Sequence, residues 1–521
     1  MPAASDAPAR TRVDRLPQVS SSPLFVGVDV GTSSARAIAF DDVGAVVFSA
    51  SKSYELNRPA PGRAELDPDE VLDATSACIS SVCAEVMHAG GKIGAVSFSA
   101  LMHSLMAVDL RGRPLTGLIT WADVRALRQS ENLRRRDDAH DIYARTGVPI
   151  HPMSPLAKLL WFKESDARTL AEAARWLSLK EYLFLRLFDH WLTDASTAST
   201  SGLYDIRKGA WDEGLLDLIG LAPEKLAPVV GTAHMIEAPL SDLGIPAGTP
   251  VVVGATDGVL ANLGVGVTGS GTGVCSVGTS GAVRATVSEI RTDPQGRTFC
   301  YALDEDRWVV GGPTSNGGVV LSWLLDGMLS GLKDDGSDVH EAFEQAAGSA
   351  PAGSNGLVFL PYLMGERAPH WNPQARAAFI GLTTRHGNPH VARAALEGIV
   401  MQLRSVATSV EEIGGEFSEI RATGGFASSE VWSQMMADAF RKPVVVAANV
   451  EGTALGAAIL GMKAVGHIDS LERSEDMVGE VARYDPDPDE SATYDSLFDL
   501  FQDLYGALEG HFETLSRLEG G

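Results

Sequence analysis

Two short turns of small polar residues could bind a phosphate, and they stand in opposite halves of the chain. The sequence VGTSSARA contains Gly31, Thr32 and Ser33, and the sequence VGTSGAVRA contains Gly278 and Thr279. Each turn is predicted to join two β-strands, where it would expose several backbone N–H groups to an anion without side-chain obstruction. A single turn of this kind is more simply a hairpin. Its repetition in both halves predicts two similar domains whose turns converge on one phosphate-bearing ligand.

Two aspartates stand where acid–base or metal chemistry could be done. Asp29 precedes the first turn, and Asp257 follows the apolar strand VVVGAT at the mouth of a short helix. A carboxylate at the carboxyl end of a strand is well placed for catalysis, and it could also hold Mg²⁺ through water. Each has a structural alternative that the sequence leaves open: Asp257 could be a helix N-cap, and Asp29 could close its turn.

A third glycine-rich site lies in the sequence RATGGFASSEVW. Its pattern predicts a strand, the pair Gly424 and Gly425, and a helix with Ser428 or Ser429 as its N-cap. Flat access over the two glycines would suit an adenine ring. Because the same pattern is common in α/β folds, it indicates a nucleotide site only together with the two turns.

Other nucleotide-binding motifs are missing from the sequence. It contains no GxxxxGK[ST] P-loop and no HRD or DFG set of a protein kinase. A GxGxxG match begins at Gly264, but it follows a helix-like segment rather than a strand. We therefore assign it to a linker.

The composition favours a large cytosolic protein. The 521 residues carry a net charge of −25, which argues against nucleic acid or an anionic membrane surface as a partner. The four cysteines form no CxxC pair, which fits a reducing cytosol and predicts a cytoplasmic location. No apolar run approaches the roughly 20 residues that a membrane span requires. Residues 1–22 are predicted to be a disordered N-terminal extension rather than a signal peptide, because they have no apolar core.

Strand-like and helix-like stretches alternate along the chain, which predicts an α/β fold. The predicted strands are 24–30, 93–98, 250–254, 273–278 and 356–361, and the predicted helices are 67–87, 155–164, 179–188, 390–413, 429–440, 453–465 and about 492–515. The sequence GVTGSGTG at 266–273 is the best linker candidate. It divides the chain into two predicted domains, residues 23–265 and residues 266–521.

Together these motifs resemble the FGGY family of carbohydrate kinases from about Leu24 to Val465. The sequence ARAAFIGLTTRHGNPHVARAALEG fits the second signature of the family, and MSPLAKLLWFKES fits the first except at Ser165. Within the family, IHPMSPL and APHWNP are most similar to the gluconokinases, whereas xylulokinases share the MH, GER and TGG elements. Relatives often carry Arg or Lys where this chain has Ser428, so its affinity for the nucleotide could differ.

The resemblance implies two actin-like ATPase (ribonuclease H-like) domains around a central cleft, with ATP and Mg²⁺ as cofactors. Asp257 would be the general base that takes the proton from a sugar hydroxyl as that oxygen attacks the γ-phosphoryl group. Asp29 and Asp257 would hold hydrated Mg²⁺. The implied ATP-binding residues are those of the two turns and the third glycine site: Gly31, Thr32, Ser33, Gly278, Thr279, Gly424, Gly425 and Ser429.

The resemblance also implies a sugar site in the first domain. Its residues would be Met102, His103, Trp121, Asp123 and Arg125, together with Asp257. The Met-His element is expected to touch the sugar, although a lone His near an apolar stretch is more often structural. Asp123 and Arg125 could equally hydrogen-bond polyol hydroxyls or brace their loop as an ion pair.

The expected reaction is the phosphorylation of D-gluconate to 6-phospho-D-gluconate. A carboxylate substrate needs a positive partner, for which the candidates are Arg125, Lys158, Arg367 and His151. Alternatively, Arg367 could pair with Glu366 beside it. The rival functions are a kinase for xylulose or another polyol or aldonate, and a non-catalytic nucleotide-gated sugar sensor on the same fold. The sequence leaves a homodimer open.

Overall fold

The computed structural model describes residues 22–240, 242–333, 339–448 and 451–519. The predicted extension at 1–22 therefore lies outside the described residues, apart from Ser22. In the described part of the chain, no helix is both long and apolar enough to cross a membrane. All four cysteines lie in that part, and each is buried and unpaired.

The first half of the chain contains a six-stranded sheet, smaller two-stranded sheets and the helices around them. Its strands are β1 (Leu24–Val30), β2 (Ser34–Phe40), β3 (Val46–Ser53), β4 (Glu65–Leu66), β5 (Ile93–Ala100), β6 (Met106–Val108), β7 (Leu118–Ile119), β8 (Arg175–Leu177), β9 (Thr193–Asp194), β10 (Tyr204–Asp205), β11 (Ala210–Trp211), β12 (Val229–Val230), β13 (Met235–Glu237) and β14 (Pro250–Thr256). Its helices are α1 (Pro68–His88), α2 (Leu127–Arg134), α3 (Ala139–Thr146), α4 (Pro155–Ser165), α5 (Ala167–Glu172), α6 (Leu179–Phe188), α7 (Ala195–Ser199), α8 (Glu213–Ile219) and α9 (Asp257–Leu263).

The second half contains a seven-stranded sheet, a two-stranded sheet of β19 and β20, and the helices around them. Its strands are β15 (Thr272–Val277), β16 (Gly281–Val287), β17 (Phe299–Ala302), β18 (Trp308–Thr314), β19 (Val358–Leu360), β20 (Ala378–Ile380), β21 (Glu419–Thr423), β22 (Val444–Ala447) and β23 (Glu480–Tyr484). Its helices are α10 (Gly318–Asp326), α11 (Val339–Gly348), α12 (Asn388–Gly414), α13 (Glu430–Phe440), α14 (Gly452–Ala464), α15 (Ser474–Met477) and α16 (Pro488–Glu519).

The two large sheets repeat one topology. The first has the order β13-β14-β5-β1-β2-β3, and the second has the order β17-β18-β16-β15-β21-β22-β23. In each, the first strand pairs antiparallel with the second and parallel with a strand that returns through helices, as β1 does with β2 and β5, and β15 with β16 and β21. The prediction of two similar α/β domains is confirmed.

The first sheet is covered on both faces, which explains why β1 is apolar almost throughout. Val26 and Val28 pack in one apolar cluster with α1, whereas Phe25 packs in another cluster with α9 and α14. Alternate residues of a strand point to opposite faces, so a strand buried on both sides loses the polar alternation. At Gly27, a Cβ would lie 2.0 Å from the carbonyl oxygen of Ala454 in α14. The backbone of α14 therefore rests directly on β1.

The predicted helices and strands are confirmed, mostly within two residues at each end, and β1 and α6 have the predicted bounds. The prediction of a linker at 266–273 is wrong at its end, because β15 begins at Thr272 and pairs with β21. The boundary between residues 265 and 266 stays a prediction. Although α14 follows that boundary, it packs against the sheet of the first half.

Candidate active site

Asp257 is the first residue of α9, directly after β14. The strand bends at Gly254, where φ is 75° and a Cβ would lie 1.8 Å from the carbonyl oxygen of Phe98, so only glycine fits. Asp257 Oδ1 accepts a hydrogen bond from the N–H of Gly258 at 2.8 Å. The N-cap position belongs to Thr256, so Asp257 is not the helix cap that the sequence left open. Burial raises the pKa of Asp257, which brings the carboxylate closer to the range of an effective general base.

Asp29 lies close enough to Asp257 for the two carboxylates to repel each other. Burial raises the pKa of Asp29 to about 7, and the negative charge of Asp257 adds to the rise. The Ser99 hydroxyl donates a hydrogen bond of 2.9 Å to Asp29 Oδ1. The turn that follows is closed by the backbone, from the N–H of Gly31 to the carbonyl of Ser34 at 3.0 Å. The carboxylate of Asp29 is therefore not needed to close the turn.

The two carboxylates fit a hydrated Mg²⁺ rather than a metal held by protein side chains alone. Among the residues that the structure describes, no three His, Cys, Asp or Glu side chains form a metal-binding group. Mg²⁺ usually keeps several waters and binds through one or two carboxylates and the phosphates of a substrate. Two facing acids supply that pattern, because a divalent cation near both would offset their mutual repulsion.

The two glycine turns occupy equivalent places in the two sheets. The first joins β1 to β2, and the second joins β15 to β16. Each is closed by the N–H of its glycine, which in Gly278 donates to the carbonyl of Ser280 at 2.9 Å. A Cβ on Gly278 would meet no atom within 4 Å. The second turn therefore faces open space with room for a phosphate.

A cavity of about 550 Å³ opens on one side of the second turn. One wall is formed by residues with small side chains, among them Gly278, Thr279 and Gly425. Apolar side chains line much of the rest, including those of Phe343 and Trp432, together with polar ones such as that of Glu344. Ligand pockets of this size and apolar character accommodate a planar ring system. The cavity therefore has the size and much of the lining that a nucleoside would need.

A second cavity, of about 230 Å³, lies on the other side of the same turn. It shares Gly278 with the first cavity and is lined by Asp257, Arg284, Gly424 and Thr453 among others. The two cavities thus adjoin at Val277 and Gly278, and Asp257 lines the smaller one. A triphosphate that extended from the larger cavity into the smaller one would bring its terminal phosphoryl group into the cavity that Asp257 lines.

Two serines of the third glycine site have different roles. Ser428 lines the larger cavity. Ser429 is buried, and its Oγ accepts a hydrogen bond from the N–H of Trp432 at 3.2 Å as the N-cap of α13. The hydroxyl of Ser429 therefore supports the helix. Of the two, Ser428 is the serine that would face a nucleotide.

Replacing Gly278 by Val is expected to raise the KM for the nucleotide by about tenfold or more, equivalent to roughly 1.4 kcal/mol of binding. The added methyl groups would enter the junction of the two cavities, while the fold has no atom within 4 Å of the new Cβ. Initial-rate kinetics with varied ATP measure the effect. Gly269→Val is the matched control, because its Cβ would also meet no atom within 4 Å and it lines neither cavity described above. An unchanged KM in Gly278→Val would show that the turn does not border the nucleotide.

His103 is held by other groups of the protein. Its Nδ1 lies 2.8 Å from the carbonyl oxygen of Thr200, and its Nε2 lies 3.3 Å from the hydroxyl of Tyr301 in the second half. Burial lowers the pKa of His103 to about 3, so the ring is neutral, donates from Nδ1 and accepts at Nε2. Both nitrogens are therefore engaged, which is the structural alternative. Met102 lies beside Asp257, because a Cβ on the next residue, Gly258, would lie 2.1 Å from the Cε atom of Met102.

Asp123 and Arg125 form the loop brace that the sequence left as one of two alternatives. Arg125 Nη2 lies 2.7 Å from Asp123 Oδ2 and also pairs with Glu65. Asp123 is fully buried, and its Oδ2 accepts a hydrogen bond from the N–H of Ala64 at 2.8 Å. A polyol hydroxyl would have to displace these partners.

Trp121 connects the first turn to the second half of the chain. Its Nε1–H donates to Thr32 Oγ1 at 2.9 Å, and the guanidinium of Arg367 lies over its ring at 4.9 Å from the centroid. The structure therefore brings together Trp121, Thr32 and Arg367. These residues lie in three separate motifs of the sequence.

Arg284 is a site residue that sequence analysis missed. It lines the smaller cavity, its Nη1 donates to Ser276 Oγ at 3.0 Å, and its charge lowers the pKa of Asp257 against the effect of burial. It is the one charged residue of β16, a strand that directly follows the second turn. The sequence signal for this residue was a lone charge in a mainly apolar strand that follows the second glycine turn.

The chain is similar to known carbohydrate kinases along most of its length. The chain matches the N-terminal domain of the FGGY family of carbohydrate kinases over residues 24–264 and the C-terminal domain over residues 273–465. It is 40% identical to the gluconokinase of Bacillus licheniformis, over 95% of this chain and 98% of that one. A gluconate kinase structure from Lactobacillus acidophilus is 35% identical with a TM-score of 0.89, over 95% and 99% of the two chains. A ligand-bound xylulose kinase structure from the same organism is also 35% identical, with a TM-score of 0.90 over 95% and 100%. These matches confirm the predicted fold class.

Proposed function

Because this chain belongs to the FGGY family of carbohydrate kinases, we propose that it is an ATP-dependent gluconokinase. The reaction transfers the γ-phosphoryl group of ATP to the C6 hydroxyl of D-gluconate, giving 6-phospho-D-gluconate and ADP. The observation that supports phosphoryl transfer is that the larger cavity adjoins, at Gly278, the smaller cavity that Asp257 lines. The gluconokinase relative, matched along 98% of its length, supports gluconate as the acceptor.

Asp257 acts as the general base. It accepts the proton of the C6 hydroxyl as that oxygen forms a bond to the γ-phosphorus, and the bond from phosphorus to the bridging oxygen of ADP breaks. An alcohol is a weak nucleophile, so a positioned base contributes about 10²–10⁴-fold to the rate. The raised pKa of Asp257 helps, because the base then has a stronger affinity for the proton at neutral pH.

Nearby charges and N–H groups oppose the rise in the pKa of Asp257 that burial causes. Arg284 and Lys180 both lower its pKa, as do the N–H groups of Gly258 and Met102. Asp29 and Asp257 would hold a hydrated Mg²⁺, which shields the negative charge between the triphosphate and these acids. Of the two cations, Arg284 also lines the smaller cavity, whereas Lys180 pairs with Asp194.

Asp29→Asn is expected to raise the Mg²⁺ concentration for half-maximal activity by about 10–100-fold, the usual effect of losing a group that orients a metal through its shell. Asn keeps the hydrogen bond from Ser99 but removes the negative charge. Initial rates at saturating ATP and gluconate, with Mg²⁺ varied, measure the shift. An unchanged Mg²⁺ requirement would place the metal elsewhere.

The experiment for the proposed function is an ADP-release assay against a panel of acceptors. The panel contains D-gluconate, other aldonates, D-xylulose, L-ribulose, glycerol and no acceptor, and ³¹P NMR identifies the phosphorylated carbon. Gluconate is expected to give the highest kcat/KM, with phosphate on C6. A preference for xylulose would establish the second candidate, which the xylulose kinase structure favours at a TM-score of 0.90. ADP release that no acceptor stimulates would establish the sensor alternative.

We further propose a cytoplasmic location, which the four buried and unpaired cysteines support because disulfides are rare in reducing compartments. A homodimer stays a prediction.

A further inference from the structure

Arg284 has hydrogen-bond donors that the protein does not use. Its Nη1 donates to the Ser276 hydroxyl at 3.0 Å, and in the described part of the chain neither Nε nor Nη2 has a hydrogen-bond partner. The Nε atom is also buried. A guanidinium presents its N–H donors in a rigid fork, and a buried donor without a partner is costly. The side chain is therefore suited to an acceptor that the protein itself does not supply.

Two glycines make room for this side chain beside Asp257. Arg284 pairs across the sheet with Gly311 of β18, where a Cβ would lie 3.0 Å from the Cγ atom of Arg284. A Cβ on Gly258, the residue after Asp257, would lie 3.6 Å from Nε and 3.7 Å from Nη2 of Arg284. The guanidinium therefore lies against the start of α9, and Arg284 and Asp257 line the same small cavity.

A second arginine of the same sheet provides a comparison. Val274 of β15 pairs with Arg284 on one side and with Arg421 of β21 on the other. Arg421 forms ion pairs with Glu419 at 3.2 Å and with Glu480 at 3.3 Å, and it lines neither cavity. Arg284 has a neutral hydroxyl as its partner instead. Of these two arginines, the one that donates to no acid is the one that borders the cavity of Asp257.

The cations that the sequence offered for an anion line neither cavity. Arg125 is in ion pairs with two acids, and Lys158 donates to two backbone carbonyl oxygens. His151 accepts a hydrogen bond at Nδ1, and burial holds its pKa well below the usual value. Arg367 donates to a backbone carbonyl and stacks on a tryptophan, while the carboxylate of Glu366 accepts hydrogen bonds from backbone N–H groups. Arg284 is the cation that lines the smaller cavity.

The anion that the proposed reaction brings into the smaller cavity is the γ-phosphoryl group. This cavity adjoins the larger one at Gly278, and it contains the acid that would take the proton of the C6 hydroxyl. The carboxylate of gluconate stands at the opposite end of the sugar chain, so it points away from Asp257 when C6 is positioned for attack. Phosphoryl transfer spreads negative charge over the equatorial oxygens of the group, and a planar guanidinium can bind two such oxygens at once.

We infer that Arg284 is a catalytic residue whose guanidinium binds oxygens of the γ-phosphoryl group during its transfer. No bond of Arg284 forms or breaks: the acceptor oxygen bonds to phosphorus, the bond to the bridging oxygen of ADP breaks, and the arginine stabilises the charge of the group in between. The donors are fixed before the reaction, so little reorganisation is needed. The inference rests on the proposed function only in requiring phosphoryl transfer from ATP, and it does not depend on which sugar is the acceptor.

Arg284→Met tests the inference through the rate of phosphoryl transfer in a single turnover, measured by rapid quench with ATP and gluconate saturating. The rate is expected to fall by about 10²–10³-fold, the usual effect of removing one preorganised donor. The Kd of ADP, measured by calorimetry, should stay close to the wild-type value, because ADP lacks the γ-phosphoryl group. Arg284→Lys keeps the charge without the planar fork, so an intermediate loss of about tenfold is expected.

The pH dependence separates this role from an effect on the general base. Arg284 lowers the pKa of Asp257, so its loss should raise that pKa and move the acidic limb of the rate profile to higher pH. If this were the whole effect, Arg284→Met would regain the wild-type rate once the pH exceeded the raised pKa. Binding of the phosphoryl group predicts instead a plateau that stays about 10²-fold or more below the wild-type plateau.

Arg421→Met is the matched control, because it removes an arginine from the same sheet that lines neither cavity. It should lower the thermal midpoint and leave the transfer rate near the wild-type value. An equal loss of rate in this control, or a full plateau rate in Arg284→Met, would overturn the inference. A loss of ADP affinity as large as the loss of rate would also overturn it, since Arg284 would then support the nucleotide site. If Arg284→Met does not fold, Arg284→Lys decides in the same assays.

Failure of the inference and failure of the proposed function are distinguishable. If the wild-type enzyme prefers gluconate and the Arg284 variants keep its plateau rate, the inference is wrong and the proposed function stands. If the wild-type enzyme prefers xylulose, gluconate is wrong as the acceptor, and the same loss of rate in Arg284→Met with xylulose would support the inference. If no acceptor stimulates ADP release, both are wrong.

Discussion

Asp257→Asn is expected to lower kcat by about 10²–10⁴-fold, the contribution of a positioned general base. Asn has the same shape and can still accept the hydrogen bond from the N–H of Gly258, so α9 should keep its start. It cannot take the proton of the sugar hydroxyl. The KM for ATP should change little, because the larger cavity and the second turn are untouched.

The matched control is Asp438→Asn, at a buried aspartate on α13 that lines neither cavity. Asp438 Oδ1 accepts hydrogen bonds from Gln434 Nε2 and from the N–H of Asp487, both at 2.8 Å, and Asn can accept the same bonds. Its kcat should stay within about twofold of the wild-type value. An Asp257→Asn enzyme with normal kcat would remove the general base from the mechanism.

Lys180→Met is expected to lower the free energy of unfolding by about 3–5 kcal/mol, because it leaves a buried carboxylate without its counter-charge. Lys180 Nζ lies 2.9 Å from Asp194 Oδ2, with 2% and 0% of the two side chains exposed. Asp194 is the N-cap of α7, and Ser196 of that helix contacts Thr256, the residue directly before Asp257. Equilibrium unfolding in urea, followed by tryptophan fluorescence, measures the loss.

The double variant Lys180→Met with Asp194→Asn tests the cause of that loss. Asn can still accept the bond that the N–H of Thr197 donates to Asp194 Oδ1, and its amide nitrogen can donate to the Thr197 hydroxyl in place of the bond to Oδ2. The orphaned charge is gone. The double variant should therefore regain a large part of the lost stability. If the single variant unfolds within about 1 kcal/mol of the wild-type protein, the buried pair does not stabilise the fold as we describe.

The elements whose residues follow one local period were predictable from the sequence. The strand β1 and the helix α6 have the predicted bounds, because a long apolar run and a capping serine with Glu181 three residues later are strong local signals. The repeated turn also predicted the two related sheets, since each glycine turn had to join two strands of one hairpin.

Contacts between distant segments could not be predicted in this way. The close contact of α14 with Gly27 depends on how the second half of the chain folds back onto the first. No local sequence pattern indicates this contact. The same holds for Arg125, whose second partner Glu65 lies in β4, and for Glu366, whose carboxylate accepts hydrogen bonds from backbone N–H groups. In the site, the sequence named the acids and the turns, whereas the stacking of Arg367 on Trp121 appears only when the fold is known.

We propose that this cleft phosphorylates a sugar acid. The most direct measurement is the ratio of kcat/KM for D-gluconate to that for D-xylulose in the wild-type enzyme, with ATP and Mg²⁺ saturating. We predict a ratio of about 10² or more, because a site that pairs a substrate carboxylate with a positive group discriminates strongly against a substrate that lacks the charge. A ratio below one would contradict this function, since it would mean that the cleft selects an uncharged ketose.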